Sequence, residues 1–117
     1  DTVLEEDVRL DNQIQISHNV RIGAHTAMAG CSAAAGSARI GRYCLIGGAA
    51  GVLGHLEICD RVVVTAMSLV TSSITEPGEY SSGTPLTDIR TWRKNAARFK
   101  QLDALARRVL AADKETR

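Results

Sequence analysis

The sequence predicts a mainly β chain: a left-handed parallel β-helix of about four coils over residues 1–75, a loop over 76–87, and one amphipathic α-helix over 88–117. Three observations predict it. An apolar residue recurs every six positions, small residues flank it in step, and past residue 87 the spacing changes to three or four.

The six-residue rhythm runs Leu4, Leu10, Ile16, Ile22, Met28, Ala34, Ile40, Ile46, Val52, Ile58, Val64, Val70. Two positions earlier stands a small or β-branched residue at most steps, among them Val8, Val20, Thr26, Ser32 and Ala38. One position later the chain is mostly small: Ser17, Gly23, Ala29, Ala35, Gly41, Gly47. An α-helix repeats every 3.6 residues and would smear this pattern around its circumference, while a hairpin strand repeats every two. A period of six suits short strands separated by corners. Each strand then sends two alternate side chains inward, and a small residue permits the tight bend. Three such sides close a coil of 18 residues, and stacked coils pair as parallel strands about 4.8 Å apart. Residues 2–73 hold about four coils.

The first coil presents unpaired backbone groups, and the chain opens in mid-repeat. This predicts a longer parent, and either a covering chain or fraying at residues 1–8. After Ile74 the repeat stops. Pro77-Gly78 reads as a turn and Tyr80 to Pro85 as an extended loop. From Asp88 to about Asp113 the residues Ile89, Trp92, Ala96, Phe99, Leu102, Ala106, Val109 and Leu110 mark one face of a helix, with Thr87 as its N-cap. A single helix cannot bury its own stripe, so it must pack on the solenoid or on copies of itself.

Residues 18 apart share a column on the exterior. Ala27, Leu45 and Val63 form one, Cys31, Ala49 and Met67 another, Ala35 and Leu53 a third. Apolar columns on an outer face predict an interface, and a three-fold ring closes such faces without leaving one exposed. A homotrimer is therefore expected.

Composition narrows the class. No apolar run approaches the roughly 20 residues of a membrane span, and the acidic start, Asp1 to Asp7, has no signal-peptide pattern. Cys31, Cys44 and Cys59 match no zinc-ligand spacing and read as reduced, space-filling thiols, which places the chain in the cytoplasm. No cofactor, metal or nucleic-acid partner is expected. Charge is divided: residues 1–87 hold five basic and nine acidic residues, residues 88–117 nine basic and four acidic. Such a basic tail either meets an acidic partner or is a solvated face.

Four stretches carry a family resemblance. They are Asp11-Asn12-Gln13-Ile14-Gln15-Ile16-Ser17-His18-Asn19-Val20, Ile40-Gly41-Arg42-Tyr43-Cys44, Gly54-His55-Leu56-Glu57-Ile58-Cys59-Asp60, and Ser73-Ile74-Thr75-Glu76-Pro77-Gly78 with Tyr80-Ser81-Ser82-Gly83. Through nearly its whole length the chain resembles the C-terminal part of the UDP-3-O-acylglucosamine N-acyltransferases of lipid A biosynthesis, a hexapeptide-repeat acyltransferase family. The resemblance implies a homotrimer that moves a 3-hydroxyacyl chain from acyl carrier protein to the amine of a UDP-linked glucosamine. It implies that His18 is the general base, that Asp11 orients it, that the Gly36 N–H faces the developing oxyanion, and that His55 lies near the thioester arm. With acyl carrier protein as donor, the charge of the basic helix, through Arg93, Lys94, Arg98 and Lys100, would attract that acidic partner. Asp11 can equally be a turn residue bonding its own backbone, and His25 matches no role in the family and reads as a solvated corner.

The chain departs from the family's pattern at Ser32, Ala33, Ala34, Ala66 and Ser72. The family's N-terminal uridine-gripping domain has no counterpart here, so whether this chain alone is an enzyme is open at this level. The alternative is a truncated or engineered trimeric scaffold or assembly component without activity, whose Ala-rich face meets a second protein.

Overall fold

A computed structural model describes residues 1–116. The six-residue rhythm becomes a three-sided coil of very short parallel strands, numbered in chain order. The first side holds β1 (Val3–Leu4), β4 (Arg21–Ile22), β7 (Arg39–Ile40) and β10 (Glu57–Ile58). The second holds β2 (Arg9–Leu10), β5 (Ala27–Met28), β8 (Leu45–Ile46), β11 (Val62–Val64) and β13 (Gly78–Tyr80). The third holds β3 (Gln15–Ile16), β6 (Ala33–Ala34), β9 (Gly51–Val52) and β12 (Leu69–Val70). Every pairing is parallel, and from β1 to β12 partners are 18 residues apart, as in Ile22↔Ile40 and Ala34↔Val52.

The core is the inward column that the period predicts. Ile22, Met28, Ala34, Ile40, Ile46, Val52, Ile58, Val64 and Val70 are buried, as are Val20, Thr26, Ser32, Ala38, Cys44, Ala50 and Val62 two positions earlier in the repeat. Removing a side chain such as Ile46 from water contributes about 2–3 kcal/mol. The buried hydroxyls are satisfied: Thr26 donates to Gly41 O at 2.6 Å, and Ser32 donates to Ala29 O at 2.7 Å. Leu4 and Leu10, in the first coil, continue the same column but are exposed. Their backbone is nonetheless paired to the second coil, with the Val3 N–H donating to Val20 O.

The structure assigns the bend differently from the sequence reading. At each corner the second residue takes the left-handed conformation, and none of the eleven non-glycine residues that do so is small by rule: Asp7, Gln13, Asn19, His25, Cys31, Ser37, Tyr43, Ala49, His55, Arg61 and Met67 all have φ between 55° and 63°. The small residues after the strands serve contact between coils. A Cβ on Gly23 would lie 2.5 Å from Gly41 C, and one on Gly47 2.5 Å from Ala66 N. L-residues lose about 1–2 kcal/mol in the left-handed region. Ala49→Gly, at an exposed corner with φ 56°, should therefore raise stability by about 1 kcal/mol, read as a higher denaturation midpoint.

Two further expectations change. Within the stretch read as a turn and extended loop, Gly78–Tyr80 forms β13, which extends the second side by pairing with β11. The single helix is two, α1 (Ile89–Phe99) and α2 (Leu102–Glu115). At the junction the Gln101 N–H donates to Arg98 O, three residues back, which tightens the turn. No glycine or proline marks this break. The N-cap is Asp88 rather than Thr87: its carboxylate accepts the Thr91 N–H at 2.7 Å, a bond that holds the Asp88 carboxyl below its ordinary value.

The chain divides into a solenoid unit, Asp1–Gly83, and a helical unit from Thr84 onward. Neither α1 nor α2 buries a residue, and Trp92, Phe99, Leu102 and Val109 are exposed. No helix among the described residues is long and apolar enough to cross a membrane.

Candidate functional site

The corner between the third and first sides gathers three of the four residues to which the sequence attaches chemistry. Its turns are 18–19, 36–37 and 54–55, one coil apart. The first residues form the column His18, Gly36, Gly54, and the second residues form the column Asn19, Ser37, His55. Backbone bonds lock the coils together here, Ser37 N–H to His18 O and His55 N–H to Gly36 O, each at 3.0 Å. Both imidazoles are exposed.

With the imidazole of His18 where it stands, position 36 has no room for a side chain. A Cβ there would lie 2.5 Å from His18 Cε1 and 2.8 Å from Nε2, so the ring rests on the glycine backbone. Next below, Gly54 also lacks a side chain, and a Cβ on it would lie 3.0 Å from Gly36 O. The first-residue column beneath His18 is thus bare backbone.

The first N–H of a corner takes no part in the coil-to-coil ladder, and its fate differs from corner to corner. Between the first and second sides, carboxylates take these N–H groups: Glu5 accepts from Ala24 N at 3.1 Å and Asp60 from Arg42 N at 2.7 Å. The fold itself therefore shows that a carboxylate-like oxygen seats on this position. At the histidine corner the N–H of Gly36 has no partner among the described residues. An unpaired N–H beneath an imidazole is what an oxyanion acceptor needs: a fixed donor that requires no reorganisation.

Asp11 lies elsewhere. It stands at the corner between the second and third sides, one full side of the triangle from His18, and its carboxylate accepts its neighbour's Asn12 N–H at 2.7 Å. No hydrogen bond joins it to His18 among the described residues. That arrangement is the local turn bond which the sequence left open as an alternative.

His25, read as a solvated corner, belongs to a ladder that crosses all four coils. Its Nδ1 lies 2.9 Å from Asp7 Oδ2, its ring stacks on Tyr43 at 4.8 Å, and the Arg61 guanidinium lies 4.6 Å from the Tyr43 ring centre. The hydrogen bond with His25, then the Arg9 charge, hold the Asp7 carboxyl below its ordinary value. A carboxyl lowered in the folded state supplies stability above its unfolded pKa of about 3.9 and loses it as pH falls through the folded one. Asp7→Asn should therefore narrow the difference in melting temperature between pH 6 and pH 3, mostly by lowering the pH 6 value.

Arg93, Lys94 and Arg98 lie on α1 and Lys100 caps it, all exposed. Of the departing residues, Ser32 and Ala34 are buried, Ala33 points outward on β6, and Ala66 and Ser72 are exposed. Cys44 is buried, which pushes its thiol up, while Cys31 is exposed. No group of three or more His, Cys, Asp or Glu is placed to hold a metal ion among the described residues. Sequence reasoning passed over Asn19, Ser37 and Gly54, although counting 18 residues from His18 and Asn19 finds them.

Fold and site together define a hexapeptide-repeat β-helix with a histidine corner, the architecture of a class of acyltransferases. Solved structures agree on the fold: PerB from Caulobacter crescentus, in complex with CoA and GDP-perosamine, superposes with a TM-score of 0.56 at 21% identity over 69% of this chain and 51% of its own. Serine acetyltransferase isoform 3 from Entamoeba histolytica gives 0.53 at 18% identity over 80% and 40%. No family model matches the chain. The particular relatives are UDP-3-O-acylglucosamine N-acyltransferases, and the resemblance read in the sequence is to them. That of Xanthomonas campestris pv. campestris (strain 8004) is 75% identical over 115 residues, 98% of this chain. Those of Xylella fastidiosa (strain M12) and Hahella chejuensis (strain KCTC 2396) are 71% and 58% identical over 98% and 93% of it. The chain spans about a third of the length of these relatives, 34%, 34% and 31%.

Proposed function

We propose that the chain is the catalytic part of an N-acyltransferase that transfers a 3-hydroxyacyl group from acyl carrier protein to the amine of UDP-3-O-acylglucosamine, in the cytoplasm, within lipid A biosynthesis. The observation that carries this reading is the His18 imidazole lying over Gly36, whose N–H is unpaired. His18 takes a proton from the amine as nitrogen attacks the thioester carbonyl. The Gly36 N–H receives the oxyanion, and on its collapse the nitrogen–carbon bond remains while the carrier's thiol leaves with a proton. His55 stands at the same corner to contact the thioester arm. The exposed cations of α1 attract the acidic carrier.

The working form is a homotrimer. Ala27, Leu45 and Val63 stand in register on the outside of the second side, and Met67 is 75% exposed at the next corner. These columns are faces that want covering. An exposed corner offers a substrate one wall, and a neighbouring copy supplies another. The side of the triangle between Asp11 and His18 means that any pairing of the two joins different copies.

An acyl-transfer assay tests the reading, with a carrier-linked 3-hydroxyacyl donor, on this chain and its His18→Ala variant. Equal rates at background would remove it. The scaffold alternative draws no support from the site, and identities of 58–75% to enzymes over nearly the whole chain favour the enzyme part.

A further inference from the structure

We infer that Ser37 is a second donor to the reacting carbonyl oxygen, held in place by Asn19, an inference that rests on the acyl-transfer reading of this corner. Ser37 follows Gly36, the residue with the open N–H, and sits in the column between Asn19 above and His55 below. It is half-buried, whereas the two imidazoles are exposed. Asn19 Nδ2 donates to Ser37 Oγ at 3.0 Å across the coil boundary. A hydroxyl carries one proton and two lone pairs. With a lone pair engaged by the amide, the hydroxyl's own proton has no acceptor among the described residues.

The surroundings say where that proton can go. His18 covers Gly36 from above, and Gly54 leaves the space below without a side chain. An oxygen seated on the Gly36 N–H, as Glu5 and Asp60 oxygens seat on equivalent N–H groups at another corner, would be held by the residue that immediately precedes Ser37 in the same turn. One donor is fixed by the backbone and the other by Asn19, so neither must reorganise as negative charge develops on the oxygen. No bond to Ser37 forms or breaks. Its role is to donate a hydrogen bond to the oxyanion and to release it on collapse.

Asn19 acts through Ser37 and is a positioning residue. Ser37 has φ 62°, so Ser37→Gly removes the hydroxyl while easing the backbone, and Ser37→Ala removes it with the backbone cost retained. Both variants should lower kcat about 10- to 100-fold with KM within about twofold, although their stabilities move apart. Asn19→Ala should cost less, and Asn19→Ala combined with Ser37→Ala should be no slower than Ser37→Ala alone. A parallel measurement needs no turnover: 3-hydroxybutyrate, a carboxylate probe, should shift the Gly36 amide resonance, and Ser37→Gly should weaken that binding about tenfold. Rates for Ser37→Gly within twofold of the wild type, or an unmoved Gly36 amide, would overturn the inference while His18→Ala still abolishes transfer. If His18→Ala transfers acyl groups as fast as the wild type, the acyl-transfer reading fails and this inference with it.

Discussion

His18→Ala should lower the rate of acyl transfer by about 10²- to 10⁴-fold, a barrier increase of roughly 3–5 kcal/mol. An amine attacking a thioester becomes cationic at nitrogen, and the intermediate collapses backwards unless that proton is removed. Imidazole is the side chain whose ordinary titration lies near neutrality, so it can take the proton and pass it on. The effect should fall on kcat and leave KM nearly unchanged, because the ring's work is done in the transition state. Stability should also be nearly unchanged. The ring is exposed, makes no hydrogen bond among the described residues, and contributes no core contact. Steady-state kinetics together with a denaturation curve separate the two effects, and a variant that loses its fold would point to a structural histidine instead.

Gly47→Ala should be among the most damaging single methyl groups, costing about 3 kcal/mol or more. The added carbon would lie 2.5 Å from Ala66 N, 2.7 Å from Thr65 C and 2.8 Å from Val64 O. All three atoms are backbone, so no side chain can swing away. Relief requires opening the spacing between two coils, which strains the Gly47 N–H bond to Val64 O at 2.8 Å and the β8–β11 pairing beside it. Urea denaturation of the variant against the parent reads the loss. The contrast with Ala49→Gly is informative. Two residues apart in the same turn region, Gly47 has no room for a Cβ because of its neighbours, whereas Ala49 carries one at the cost of its own backbone conformation. A near-neutral Gly47→Ala would mean that the coils yield more readily than this packing allows.

The apolar column from Leu4 to Val70 was legible because its period depends on the number of residues per side, which any six-step count exposes. The assignment of small residues to the bend was wrong in mechanism, since a one-letter pattern does not separate a tight turn from a close approach. Gly23, Gly41 and Gly47 answer to the coil below them, and the left-handed corners hold residues as large as Tyr43 and Arg61. The break between Phe99 and Leu102 had no signal, because the apolar spacing runs through it without glycine or proline.

The repeat by itself determined the three-sided winding, the 18-residue register and the placing of His18, Gly36 and His55 on one corner, because a period fixes angular position around an axis. Tertiary structure alone decided which N–H groups stay open. Carboxylates fill them at the charged corner, and among the described residues nothing fills the Gly36 N–H at the histidine corner. It also decided that Asp7, not Asp11, meets an imidazole within the chain. Hydrogen bonds form between atoms a few ångströms apart in space, and a linear pattern carries angle and height along the solenoid but not where a flexible side chain finds its partner.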